Sequence, residues 1–301
     1  MKLFHARLLP GAMLLLFAGQ TLACATCQCG DYTLTLLGDE KNFAGRLRLG
    51  VEALARREAA GEPGVDESVF DERRYSLGAS YSFNDRLSLA ARLPYVRKDW
   101  HVDGVGDQTV SGLGDADLTA RYTLGQTGGA VVRQRWGVQA GMKLPTSSEK
   151  TDASGAALDI DGQPGAGAWT PSLGAYYGYF HFPWMTQISL VATDPHPGYG
   201  GFKGGRALVL AAQSQYALNT AWSLQLEFDL RHALRNLEAG ERDADSGGTL
   251  GSIAPGIAWS PATDVVLYAS GQIPVIRSYN GVQHESGAVR VGIAFDLPGL
   301  K

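Results

Sequence analysis

The stretch WSLQLEFDLRH (222–232) has two different faces. Trp222, Leu224, Leu226, Phe228 and Leu230 form one, and Ser223, Gln225, Glu227, Asp229 and Arg231 the other. Successive strand side chains point to opposite sides of a sheet, so a period of two reads as a β-strand greased on one side and charged on the other. GRLRLGVEALAR (45–56), DLTARYTL (117–124) and RWGVQAGMKL (135–144) repeat the pattern. About twelve such runs follow one another, centred on 45–57, 72–83, 86–98, 113–124, 133–145, 169–181, 184–193, 206–218, 221–235, 249–260, 264–276 and 287–297. Their lengths lie close to the roughly 9–11 residues that a tilted strand needs to cross a bilayer.

The connections sharpen this reading because they alternate in length. Asn84-Asp85, 125–132, Phe182-Pro183, Asn219-Thr220 and 261–264 are short. Between them fall AAGEPGVDESVFDE (59–72), DWHVDGVGDQTVSG (99–112), TSSEKTDASGAALDIDGQPGAG (146–167), DPHPGYGGFKGG (194–205) and NLEAGERDADSGG (236–248). Outer-membrane barrels have tight periplasmic turns and long outer loops, whereas a soluble sandwich has no reason to alternate them. The expectation is an all-β, antiparallel transmembrane barrel of about twelve strands over 43–301, with both termini on the short-turn, periplasmic side.

Composition is consistent with that. No later segment approaches the ~20 apolar residues of a membrane helix. Charged residues are 19 % of the chain and mean hydropathy is near zero, the average of a strand protein with one wet face. The net charge of -4 gives no reason to expect nucleic acid. Residues 1–23 combine Lys2, His5 and Arg7 with the apolar run LLPGAMLLLFAG and a small-residue close, the form of an export signal peptide. Export and barrel together imply the bacterial outer membrane, with outer-membrane lipid, lipopolysaccharide and the barrel assembly machinery as partners.

Aromatic residues gather near the short-turn ends of the runs: Phe83, Tyr122, Trp136, Phe182, Trp184, Tyr216, Trp222, Trp259 and Phe295. Amphipathic rings settle at such an interface. The last run, RVGIAFDL (290–297), has the two-residue steps of an assembly signal and is followed by four more residues. Three further stretches, GLGDADLTARY (112–122), GMKLPTS (141–147) and QPGAGAWTPSLGAYY (163–177), together resemble the outer-membrane barrels named for the meta-pathway of phenol degradation. The resemblance spans under a third of the chain. It implies a bacterial outer-membrane barrel with an uptake or export role.

Charges fall on the polar faces of the runs at Arg46, Arg48, Glu52, Arg92, Asp117, Arg121, Lys143, Glu227, Asp229 and Arg231, with Gln139 among them. A buried charge costs several kcal/mol unless it is paired or wet. In a twelve-stranded lumen these groups either pair across it as a stabilising plug or line a narrow polar path for a small solute. The acidic loop residues Asp159, Asp161, Asp243 and Asp245 read as solvated, or as ligands of cations that bridge lipopolysaccharide.

CATCQCGD (24–31) holds all three cysteines of the chain, at the start of a tail over 24–42. Cys24, Cys27 and Cys29 stand close enough to bind one soft ion as thiolates, Cu(I) or Zn(II). A disulfide in an oxidising compartment is a second reading, and acylation of Cys24 that leaves Cys27 and Cys29 as a pair is a third. A tail of this kind also allows the barrel to be an anchor that presents a metal or redox site to a periplasmic partner. An outer-membrane lipid hydrolase would need a Ser–His pair on the lipid-facing wall. His232 is the histidine expected there, and no partner serine can be named from sequence.

Overall fold

The computed structural model describes residues 44–60, 68–102, 106–129, 131–281 and 283–297. The expected signal peptide (1–23), the expected tail (24–42) with Cys24, Cys27 and Cys29, and residues 298–301 lie outside the described residues. The strands are β1 (Leu47–Ala60), β2 (Ser68–Ser82), β3 (Leu87–Val102), β4 (Gly106–Leu113 and Ala116–Thr127), β5 (Gln134–Leu144), β6 (Thr170–His181), β7 (Trp184–Thr193), β8 (Ala207–Ala217), β9 (Trp222–Ala233), β10 (Gly248–Ala262), β11 (Val265–Tyr279) and β12 (Gln283–Leu297). The two parts of β4 lie end to end along β3, with Leu113 opposite Tyr95 and Asp117 opposite Arg92. Thirteen segments therefore make twelve strands. Each strand is antiparallel to its neighbours. β1 closes the sheet by pairing with both β2 and β12, Leu47 standing opposite Tyr81 and Leu297.

Burial is inverted relative to a soluble protein. Leu77, Leu173 and Val289 are 59 %, 66 % and 61 % exposed on the outer face, while Glu72, Arg121 and Glu227 are 3 %, 4 % and 3 % exposed within. Many large apolar side chains stay outside, on every strand. Such a surface requires an apolar solvent, so the barrel is built to sit in a bilayer. Every strand is paired on both sides over most of its length, which limits unpaired backbone facing the lipid.

Local chemistry sets the tight turns. Asn84 Oδ1 accepts from the backbone N–H groups of Arg86 and Leu87 at 2.8 Å. Asn219 repeats this with Ala221 and Trp222 at 2.8 and 2.9 Å. Above these turns sits the aromatic girdle, in which Trp222 stacks on Trp259 at 5.6 Å and Trp184 meets Tyr216 edge-on at 4.8 Å.

In two of the expected long loops, 59–72 and 99–112, the described residues are strand. The ladder of β1, β2 and β3 continues to Ala60, Ser68 and Val102, and the first part of β4 extends it further. The composition of 59–72 and 99–112 is charged because the outer faces there no longer meet lipid. Backbone pairing does not depend on that and carries on.

On the opposite side the sheet loosens. β11 and β12 pair from Val265 opposite Phe295 to Gln272 opposite Ala288 and no further. Beyond that point β11 stays on β10 and β12 on β1. Pro274 has no N–H to offer. The Tyr279 hydroxyl donates to Glu285 Oε2 at 3.1 Å across the parting.

Candidate functional site

A cavity of about 250 Å³ occupies the lumen toward its long-loop end. Its two walls differ. The β1–β5 side carries Arg56, Arg74, Arg92, Lys98, Asp117 and Lys143, and the β7–β10 side carries Val191, Val209, Ala233 and Leu250 with one charge, Arg231. The strands supply these groups by alternation, every second residue of a run pointing inward.

The charged wall is held by ion pairs. Glu72 accepts from Arg56 at 2.9 Å and forms an ion pair with Arg74 at 2.6 Å. Arg92 reaches Asp117 at 2.7 Å, and Lys143 stands opposite Asp117 on the neighbouring strand. Below the cavity, Arg290 binds Glu227 at 2.9 Å and lies 3.8 Å from Glu52. Glu52 also accepts from the Tyr268 hydroxyl at 2.6 Å. Arg46 and Arg48 both converge on Asp296, at 2.9 and 2.7 Å. Arg121 donates to Gln139 at 2.9 Å and lies over the Tyr176 ring. Asp229 is buried on the same inner face, and Arg231 lines the cavity.

The expected polar residues are thus all on the inner face, and their partners came partly from elsewhere. Arg56, Glu72, Arg74, Lys98, Tyr268, Arg290 and Asp296 were not singled out in the sequence. Arg290 and Asp296 share the parity of the polar face of RVGIAFDL, which would have found them. Glu72 stood at the boundary between a stretch read as loop and the run that begins there.

The loop between β5 and β6 forms the lid. Asp161 was expected in a solvated loop, yet Asp161 and Gln163 are each 2 % exposed. Lys98 Nζ donates to the Asp161 carbonyl at 2.6 Å. Gln163 folds the loop on itself, accepting from Lys150 N–H at 2.8 Å and donating to the carbonyls of Lys150 and Leu158 at 2.9 Å. The anchor is Asp115, at the break in β4. Its carboxylate accepts from Ser147 Oγ at 2.6 Å, Ser147 N–H at 3.2 Å and Gly167 N–H at 3.0 Å. Tyr199, from the next loop, donates to the Ser147 carbonyl at 2.6 Å. Gly167 has φ +61° and faces the Tyr199 ring, so a side chain there would be strained and would collide.

Outside the barrel, His232 faces a groove it shares with Ser172 and Asp194. Its Nδ1 lies 2.8 Å from Thr249 Oγ1. The register carries His232 through Leu208 and Ala192 to Leu173, three strand spacings of about 4.8 Å each. That separation keeps Ser172 beyond hydrogen-bond reach of His232.

No family model matches the chain, and no curated protein matches it by sequence. Among solved structures it is similar to the COG4313 outer membrane channel from Pseudomonas putida F1, with 16 % identity, 86 % of this chain and 98 % of that one covered, and a TM-score of 0.67. It is also similar to the translocator domain of the autotransporter NalP from Neisseria meningitidis, with 13 % identity, 88 % and 93 % covered, and a TM-score of 0.50. The fold is that of an outer-membrane barrel. Identity this low carries the fold alone.

Proposed function

We propose that the protein is an outer-membrane channel or transporter for a small solute, as the resemblance to the phenol meta-pathway barrels implies. Both termini then face the periplasm, and the cavity beneath the β5–β6 lid is where the solute dwells. The observation that carries this is the cavity itself: about 250 Å³ with a densely charged wall facing a mostly apolar one that carries Arg231. Ligand sites combine apolar surface with a few convergent polar groups in this way. The similarity to an outer membrane channel supports the same reading. Reconstitution into planar bilayers tests it. Conductance steps that rise when 150–163 is shortened are expected, and silence of both proteins would reject it.

The parted β11–β12 ladder favours a second route, between the bilayer and the lumen, because Tyr279 spans the parting and also lines the cavity. An apolar fluorescent solute dissolved in the bilayer is expected to be taken up faster by Tyr279→Phe, and an unchanged rate would count against this route.

The tail adds a separate proposal: Cys24, Cys27 and Cys29 bind Cu(I) or Zn(II) and hand it to, or receive it from, a periplasmic metal or redox partner. Their thiolates suit a soft ion. Near-stoichiometric metal in the reduced protein, lost on changing Cys27 and Cys29 to Ser, is the expected result. No metal in either form leaves a disulfide, an acylated Cys24, or a barrel that acts as an anchor for the tail.

A further inference from the structure

On three successive strands the outward apolar series ends in an arginine. β1 runs Leu49, Val51, Ala53, Ala55, then Arg57; β2 runs Ala79, Leu77, Tyr75, then Arg73; β3 runs Ala91, Leu93, Tyr95, then Arg97. Arg73 and Arg97 stand directly opposite each other in the register, as do Tyr75 and Tyr95 one step nearer the bilayer. The tyrosines are 50 % and 44 % exposed, and all three arginines are exposed.

Like charges facing across a strand pair are destabilising. Among the described residues, the carboxylates beside them are Asp71, directly opposite Arg57, and Asp99, opposite Asp71 and one step beyond Arg73 and Arg97. Asp99 is engaged by Arg97 at 3.2 Å and Thr109 at 2.8 Å. Neither Arg57 nor Arg73 makes an ion pair or hydrogen bond among the described residues. Three guanidinium groups thus border lipid-facing tyrosines at the long-loop rim, and the two carboxylates beside them, Asp71 opposite Arg57 and Asp99 within the field of Arg73 and Arg97, leave an excess of positive charge among the described residues.

We infer that Arg57, Arg73 and Arg97 form a binding site for the headgroup phosphates of an outer-leaflet glycolipid. Guanidinium forks bind phosphate oxygens through charge-assisted hydrogen bonds. The tyrosines pack against the acyl chains beneath. An anion bridging Arg73 and Arg97 removes their mutual repulsion. The inference rests on the reading that the long-loop rim faces outward.

Native mass spectrometry of the full-length barrel tests it. The protein is released from micelles doped with lipid A, with enzymatically dephosphorylated lipid A, or with phosphatidylcholine. Lipid A is expected to be retained selectively. Retention should fall roughly tenfold in Arg57→Gln/Arg73→Gln/Arg97→Gln, each exposed pair contributing a few-fold. The control Arg133→Gln/Arg235→Gln/Arg242→Gln makes the same charge change at exposed sites elsewhere and is expected to retain lipid A. Equal retention of the phosphorylated and dephosphorylated lipids, or no loss in the first variant, overturns the site. Folding is read on the same samples by heat-modifiable gel mobility. Orientation is read separately, by labelling Ser154→Cys on intact cells with an impermeant maleimide, so failure of the outward reading is distinguishable from failure of the site.

Discussion

Replacing Arg290 by methionine is the most informative single change in the lumen. Arg290 sits 2.9 Å from Glu227 and 3.8 Å from Glu52, with side chains 8 %, 4 % and 8 % exposed. At an effective dielectric of about 20, a pair at 3.8 Å is worth about 4 kcal/mol. Removing one partner of a buried pair costs about 3–5 kcal/mol, because the charge left behind is unpaired. Arg290→Met should therefore destabilise the barrel by about 3–5 kcal/mol. Glu227→Gln should cost less, roughly 1–3 kcal/mol, since Arg290 keeps Glu52 and the amide can still accept a hydrogen bond. The double variant should recover at least about 2 kcal/mol relative to additivity. Reversible urea unfolding of barrel refolded into lipid vesicles, followed by tryptophan fluorescence and gel mobility, measures all three. A cost below about 1 kcal/mol for Arg290→Met with strict additivity would refute the reasoning. The lumen at that level would then be wet, and the charges would line water rather than form a plug.

Further expectations concern the lid and its surroundings. Asp115→Asn leaves Ser147 and Gly167 with a weaker acceptor, so the β5–β6 loop should lose about 1–3 kcal/mol of local stability and be cut faster by added protease while the barrel stays folded. Gly167→Ala should release the same loop, since it forces a side chain toward the Tyr199 ring; hydrogen exchange at 145–169 measures this. Glu238, in the short hairpin between β9 and β10, is held above the usual carboxylate range by partial burial and by Asp159 and Asp243. The folded state therefore binds its proton more tightly. Its contribution to loop packing is present in mild acid and lost as pH rises through the raised value; Glu238→Gln should abolish that slope in hydrogen-exchange protection of 236–243. Asp194 behaves oppositely, because its hydrogen bond from Arg206 holds it below the usual range. That contact should persist above the ordinary carboxylate range and be lost on acidification, the loss disappearing in Arg206→Gln.

What the sequence determined by itself was everything governed by a period of two. In 222–232 the parity of Glu227, Asp229 and Arg231 sets their face, and the observed strand puts all three on the inside. Strand number, turn positions such as Asn84 and Asn219, and the aromatic girdle were legible for the same reason: each depends on residues within a few positions of one another. The tertiary structure decided which charges meet. Arg46 and Asp296 are 250 positions apart and touch because β1 closes on β12. Arg290 and Glu227 face each other across the lumen. The lid was hidden too: DIDGQPG reads as a polar loop, and its burial follows from Lys98, Asp115 and Tyr199, which lie on three other segments. Alternation along a strand is a local property, whereas pairing across a closed barrel depends on register and closure, which only the assembled sheet defines.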